Sequence, residues 1–413
     1  MLTHAPFLER ARAEHERERD LSARLALGAY LVSRLVDRLL GQDEAAGAQD
    51  GFLWQLDAVR RHLRELPADS PESAHLHSIT DAVPVGGEPL AGLRLGLMAY
   101  AYFLEHEGRL EEALEVLALA VRTHGIDVPV ADFAGSALFA GRLNRLLARW
   151  NDATNCYHSA ESAAGESPDQ VLVLRAQLGM SAVMRGRGDL HQAERMARAV
   201  LDRATELSLP EVGAMAYQDI GVALESQGRL VEAVEAKYQA FLRTGDTLQR
   251  MRVLGDLGTG LAELGEFTVA RVAFEIVADS KCSFLVRTNA LIELMDLESV
   301  NGNRLAFERR RSDAQAVGDR MPPSMTADFL FKLGVGLARF GQIGRARDIL
   351  TGGLTLTETH RLNTWYFRFE RVLQNLDACE IREPVLSTFA GPVPSSAVRE
   401  MEVGLREYAS TAG

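Results

Sequence analysis

Lysine is nearly missing from this chain of 413 residues: Lys237, Lys281 and Lys332 are the only three, and every other basic side chain apart from histidine is arginine. That bias fits a GC-rich bacterial genome and says nothing of mechanism. Cysteine is as scarce. Cys156, Cys282 and Cys379 are odd in number and far apart, which excludes a disulfide framework and a CxxC zinc site and points to a reducing compartment. Aromatic residues make up 7%, and a chain poor in them but rich in Ala, Leu and Arg favours helix over sheet. No uncharged apolar run is long enough for a membrane span; the most apolar stretch, Leu21 to Leu40, is broken by Arg24, Arg34, Asp37 and Arg38. Met1 to Asp20 is polar and lacks the apolar core of a signal peptide. A cytoplasmic protein is expected. Positive charge is not in excess either: the net charge is −12, which weighs against nonspecific nucleic-acid binding, where clustered cations displace counterions.

Catalytic signatures are missing too. There is no HExxH, no phosphate loop and no nucleophile elbow. Gly334-Val335-Gly336 follows no strand and is read as part of a helix. His75 and His77 lack a third ligand and read as polar surface. Arg187-Gly188-Asp189 spells an adhesion tripeptide, but its glycine is explained by a turn. Arg309-Arg310-Arg311 reads as a solvated face, and Cys156 as a small packing residue rather than a reactive thiol. No catalytic residue, cofactor or metal is expected.

What is present is a repeat. With 47% hydrophobic and 25% charged residues the chain is that of a folded protein. Aligned on one alanine, it gives Ala113, Ala153, Ala193, Ala233, Ala270, Ala306 and Ala346, at intervals of 40, 40, 40, 37, 36 and 40 residues. Five residues earlier stand Gly108, Ala148, Gly188, Gly228, Gly265, Asn301 and Gly341; twelve earlier, Ala101, Gly141, Ser181, Gly221, Gly258, Leu294 and Gly334; seven later, Ala120, Ala160, Val200, Ala240, Val277, Asp313 and Gly353. Two antiparallel helices approach closely only through small side chains, and a glycine ends the first helix because it tolerates the left-handed cap. Pro129, Pro168, Pro210 and Pro322 follow their alanines by 15 to 17 residues and mark first turns of the next helix, with Ser167-Pro168 as a cap and first-turn pair. The sixth unit departs from the pattern at Leu294, Asn301 and Asp313.

Gly108-Arg109-Leu110-Glu111-Glu112-Ala113-Leu114 and Gly188-Asp189-Leu190-His191-Gln192-Ala193 resemble the turn and second helix of the tetratricopeptide repeat, in its longer-period form. The resemblance runs from Leu93 to Leu362. It implies an all-α, right-handed superhelical solenoid of about seven helix-turn-helix repeats with helical caps at both ends.

Before the array, Leu21, Leu25, Gly28, Val32, Leu35 and Leu39, and then Phe52, Leu56, Val59, Leu63 and Leu66, step by 4 and 3, two amphipathic seams joined through Gly41 to Gly51. They predict a helical hairpin cap over 1–66 with Leu25, Val32, Phe52 and Leu56 buried; homodimerisation through Leu21 to Leu40 is the alternative. Pro67 to Pro89 reads as a linker, over 67–90, with room for one short helix. The repeats occupy 91–362. Over 363–413, Pro384, Pro392 and Pro394 interrupt, and a last helix from Ser396 to Tyr408 is expected to cover the open end of the array.

In the family resembled, first helices line a concave surface that holds a peptide or a partner's helix, and the residues 18, 15, 14, 11 and 8 before the alanine face it. Here those positions hold Arg142 and Arg145, then Arg175 and Arg185, then Asp219, Glu225 and Asp256, with Arg252 as an exception; Glu263 stands one residue beyond its own helix's last such position. The resemblance therefore implies a protein- or peptide-binding scaffold, with a sensory or regulatory role acting in trans, whose groove is positive over the second and third repeats and negative over the fourth and fifth. An enzyme with an unrecognised site and a nucleic-acid-binding helical repeat protein are the alternatives.

Overall fold

A computed structural model describes residues 3–41, 48–84, 90–123, 129–165, 170–316, 321, 323–360, 362–379 and 396–412. Among these residues there are twenty helices and no strand. The chain forms two compact units, Met1–Gly188 and Asp189–Gly413. Ser167-Pro168, Pro322, Pro384, Pro392, Pro394 and most of the Gly41–Gly51 connection lie outside the described residues.

In the first unit the helices are α1 (Ala5–Glu16), α2 (Asp20–Leu40), α3 (Ala48–Arg64), α4 (Pro71–Asp81), α5 (Ala91–His106), α6 (Leu110–Arg122), α7 (Val130–Leu146), α8 (Trp150–Gly165) and α9 (Gln170–Gly186). The two N-terminal seams meet: Leu25, Val32, Phe52 and Leu56 are all buried, in one core with Leu76 and Ile79 of α4 and Leu93 and Leu97 of α5. From Leu25 to Leu35 the α2 seam is taken up within one chain, while Leu21 is 47% exposed. Gly28 lets α2 approach α3 and α4, since a side chain there would press on Leu63, Leu66 and Leu76. The stretch read as a linker contributes α4, with Ser70 capping it through the Ser73 amide and Pro71 in its first turn. Helix α1, not anticipated, has a single fully apolar anchor, Phe7; ion pairs supply the rest of its attachment.

The second unit holds α10 (Leu190–Glu206), α11 (Pro210–Ser226), α12 (Leu230–Arg243), α13 (Thr247–Glu263), α14 (Phe267–Asp279), α15 (Phe284–Val300), α16 (Arg304–Gln315), α17 (Pro323–Arg339), α18 (Ile343–Thr359), α19 (Asn363–Cys379) and α20 (Ser396–Ala412). Each aligned alanine lies in the first turn of a second helix. The turn before it is left-handed, with φ of 76° at Gly108, 90° at Gly188, 78° at Gly228, 88° at Gly265 and 73° at Gly341. Only Ala148, at φ 56°, holds that conformation without being glycine among these turns. The next residue's amide closes back onto the first helix, as in Arg109 to Leu104, Arg229 to Leu224 and Glu266 to Leu261.

The sixth repeat corrects the alignment by one residue. Its left-handed residue is Gly302, not Asn301, and its closing bond runs from the Asn303 amide to the Glu298 carbonyl. The residue equivalent to the alanine is therefore Phe307, fully buried, while Ala306 is half-buried. Met295 and Ala314, both fully buried, replace Leu294 and Asp313 as the equivalents twelve before and seven after. A phenylalanine fits because the next repeat offers Gly336, where a side chain would come within 2.5 Å of the Phe307 ring.

Glycines twelve before the reference residue face a large residue four after it: a side chain at Gly141 would meet Tyr157 at 2.7 Å, at Gly258 Phe274 at 2.7 Å, and at Gly334 Leu350 at 2.5 Å. Gly334 and Gly336 are thus packing positions within α17. At Gly221 the opposing residue is Lys237, and a side chain would come within 2.7 Å of its Cγ and 3.1 Å of the Ala233 carbonyl oxygen. Backbone cannot yield as a side chain can. Gly221→Leu is expected to destabilise the second unit by about 1–3 kcal/mol, whereas the exposed Glu232→Gln leaves the Tm nearly unchanged; equal melting curves for the two variants would disprove this packing register.

The last helix does not cover the end of the array. Helix α19 packs on α18 and α17 there, with Phe369 fully buried. Helix α20 instead lies on α14, and Val398, Met401 and Leu405 join the core around α12, α13 and α14. Its apolar seam needed a partner, and α12 and α14 supply one.

Candidate functional site

In the first unit, three first helices, α5, α7 and α9, gather aromatic and cationic groups. Tyr102 of α5 stacks on Phe139 of α7, with centroids 4.2 Å apart and planes 13° from parallel. Arg142 of α7 ion-pairs with Glu105 of α5 at 2.6 Å. Arg175 of α9 is exposed and near enough to act on Tyr102: burial raises the phenol's pKa, Arg175 and Arg142 oppose the rise, and Glu105 adds to it. Arg145 and Arg185 are half-buried, and the Nε of Arg145 is buried without a hydrogen-bond partner. Leu95, at the position 18 before Ala113, is 68% exposed. The face therefore presents arginines beside exposed apolar surface, with Glu105 as its counter-charge.

In the second unit the expected carboxylates converge on a residue that the positional reading passes over. Lys237 belongs to a second helix, α12, and is 1% exposed. It stands where other repeats place Tyr157, Phe274 or Leu350. Its stem runs under Gly221, and its Nζ ion-pairs with Glu225 of α11 and donates to the Asp256 carbonyl of α13 at 2.9 Å. A side chain at Gly260 would come within 3.2 Å of Val234 and 3.3 Å of that ammonium. Burial pushes the Glu225 carboxyl up, Lys237 pulls it down, and Glu263 and Asp256 push it up again. Glu225, Asp256 and Glu263 thus form one acidic group above a buried cation. Asp256 also accepts from Gln218 at 2.7 Å, and Asp219 is half-buried.

The corrected sixth repeat extends this face. Counting from Phe307, the positions 14 and 11 before it are Glu293 and Asp296; counting from Ala306, they would be the buried Ile292 and Met295. Lys332 of α17 pairs with Glu293 at 2.6 Å and Asp328 at 2.9 Å. Burial works against the charge on Lys332, but the two carboxylates outweigh it and raise its pKa. Arg339 pairs with Asp296 at 2.6 Å. Beyond them, Arg368 of α19 lies over the rings of Trp365 and Phe331, 4.4 and 4.8 Å from their centroids.

Neither face carries a nucleophile held by a base, and among the described residues no group of three or more His, Cys, Asp and Glu is placed to hold a metal ion. His75 packs on Phe103, centroids 5.0 Å apart, and burial lowers its pKa. Burial raises the pKa of the Cys156 thiol, away from the thiolate that reactivity needs. Arg311 is engaged by Glu308 and Gln315. A cavity of about 590 Å³ lies beside α1, lined by His4, Asp37, Glu115, Arg122 and Arg149 among others. Charges on its walls are paired: His4 with Glu115 at 2.9 Å ties the start of α1 to α6, Arg122 with Asp37 ties α6 to α2, and Arg149 meets Glu111 of α6 at 2.7 Å. No described helix is long and apolar enough to cross a membrane.

No protein-family model and no curated protein matches the chain. Solved structures do. A Rap conjugation gene regulator of the plasmid pLS20, in complex with the Phr* peptide, is similar at 12% identity over 82% of this chain and 97% of that one, with a TM-score of 0.53. A Rap protein complexed with competence and sporulation factor matches at 11% identity over 88% of this chain and 99% of that one, TM-score 0.47. A signal-transduction ATPase with a tetratricopeptide repeat sensor from Pyrococcus horikoshii matches at 13% identity over 85% and 65%, TM-score 0.45. At 12% identity the likeness to the pLS20 regulator is one of fold, and it agrees with the repeat read from the alanines and glycines. The chain has a tetratricopeptide-like helical repeat fold.

Proposed function

We propose that the chain is a binding scaffold for a protein or peptide, engaged along the first helices of each unit, and that it serves as a sensory or regulatory module acting on a separate partner. The observation that carries this reading is the sorting of charge. Arg142, Arg145 and Arg175 lie on first helices of the first unit, where Arg142 pairs with Glu105 and Asp132 is taken by Arg94. Glu225, Asp256, Glu263, Glu293, Asp296 and Asp328 gather in the second around Lys237, Lys332 and Arg339. The pLS20 regulator, similar in fold, is itself a peptide complex. The first unit's face suits an acidic segment, whose carboxylates arginine can take in bidentate fashion; the second suits a basic one. Such fields orient and steer a ligand more than they set its affinity.

Short peptides selected on the intact chain from a display library supply the test. Acidic peptides enriched by the wild type are expected to lose at least about tenfold in affinity to Arg142→Glu combined with Arg175→Glu, and wild-type binding is expected to weaken as salt rises. Arg175 is exposed, so its reversal alone changes stability by no more than about 0.5 kcal/mol. Reversing Arg142 adds the loss of a surface ion pair, about 1 kcal/mol. Helical circular dichroism therefore stays intact. Undiminished binding of the acidic peptides to the double variant at low salt would refute the assignment.

A further inference from the structure

Helix α20 is bound as a ligand would be. Val398, Met401, Leu405 and Tyr408 recur at steps of 3, 4 and 3, the seam of an amphipathic helix. Val398, Met401 and Leu405 are buried in the core formed by α12, α13 and α14, and Tyr408 packs against it. Tyr408 meets the Phe241 ring edge-on at 5.3 Å and lies under Arg250, 5.6 Å from the guanidinium carbon. Gly404 admits the α12 side of the groove, since a side chain there would lie 2.5 Å from the Tyr238 hydroxyl. The apolar fit is therefore good along the whole seam.

The charge fit is not. Glu266, at the start of α14, is 8% exposed. The charged group that α20 brings to it is another carboxylate, Glu402, which is already paired with Arg406 of its own helix at 2.7 Å. Burial raises the Glu266 carboxyl, and Glu402 raises it further. Glu400 and Glu407 add negative charge beside Tyr238, whose phenol is raised by burial first and by them second. A groove that offers a buried carboxylate is complementary to a cation, and the arginine that α20 carries one turn from Glu402, Arg406, is engaged by Glu402 itself.

We propose that the groove between α12 and α14 is a docking site for an amphipathic helix of another protein, one with the same 3-4-3 apolar seam and a lysine or arginine where α20 has Glu402, and that α20 is its self-supplied, displaceable occupant. The like charge keeps the resident weak, so that a better-matched helix can replace it.

Two synthetic peptides test this, one with the sequence of residues 396–412 and one identical but for Glu402→Lys. In the full-length chain carrying Leu405→Asp, α20 is expected to lose its hydrogen-exchange protection while α12 and α14 keep theirs. That chain should bind the Glu402→Lys peptide at least about tenfold more tightly than the native sequence. Introduced into the chain itself, Glu402→Lys should raise the protection of α20 by a similar factor. Retained protection of α20 in Leu405→Asp, failure of both peptides to bind, or equal binding of the two would each overturn the proposal.

Discussion

Replacing Glu72 with glutamine is expected to lower the stability of the first unit by about 3 kcal/mol at neutral pH and to remove part of its acid sensitivity. Glu72 of α4 is 6% exposed. Its carboxylate meets Arg10 of α1 at 2.8 Å, Arg109 before α6 at 2.7 Å and the Tyr100 hydroxyl of α5 at 2.8 Å, while Glu112 takes up Arg10 and Arg109 from the other side. Burial would raise the pKa of Glu72, but Arg109 and Arg10 outweigh it and hold it at about 2, against an ordinary 4.5. A folded-state pKa below the unfolded one stabilises fully above about pH 4.5 and is lost as pH falls through about 2, for a total near 3 kcal/mol. Glutamine cannot balance two buried guanidinium groups, so the loss is that of a broken pair. Urea denaturation at pH 7 and at steps down to pH 3 reads both effects. A Glu72→Gln chain as stable as wild type at pH 7, or equally sensitive to acid, would exclude this account.

In the second unit Glu225→Gln is expected to destabilise by about 2–3 kcal/mol, less than for a fully buried pair because Glu225 keeps some solvent. The loss comes from stranding Lys237. Lys237→Met, which places an unbranched apolar chain where other repeats hold Tyr157, Phe274 or Leu350, is expected to be neutral or stabilising, and to cancel most of the loss when combined with Glu225→Gln. Chemical denaturation of the two single variants and the double closes the cycle. Additive losses would show that the two side chains do not act as a pair, and the buried lysine would then need another explanation.

The array was legible in the sequence because its spacing is imposed by contact. Each small residue twelve before the alanine and each left-handed turn five before it answers a demand of close helix packing, and those demands recur. The sixth repeat slipped by one residue for a physical reason: Phe307 fills the alanine's place with volume taken from Gly336 of the next repeat, and Ala306 beside it offered a false match. The slip hid Glu293 and Asp296. Helix α1 left no periodic trace because its partners are charges; Arg10 meets Glu72, 62 residues away, and His4 meets Glu115, 111 residues away. The seam of α20 announced a helix but not its dock, since an apolar stripe carries no address. Counting positions on first helices found Glu225 and Asp256 but passed over the cation that organises them, because Lys237 comes from a second helix. Its signal was there, a lysine opposite Gly221 in a chain with only three.

The ring of Tyr157 occupies the space that side chains at both Gly141 and Gly179 would need. One residue of α8 therefore completes the interior of its own repeat and of the repeat that follows. In a linear array, cooperativity is governed by the ratio of interface strength to the intrinsic strength of each module. A shared ring moves free energy from the module into the interface. Neither α7 nor α9 can fray without uncovering the same aromatic surface, so these helices should open as a single foldon, with hydrogen-exchange rates that rise together rather than in sequence.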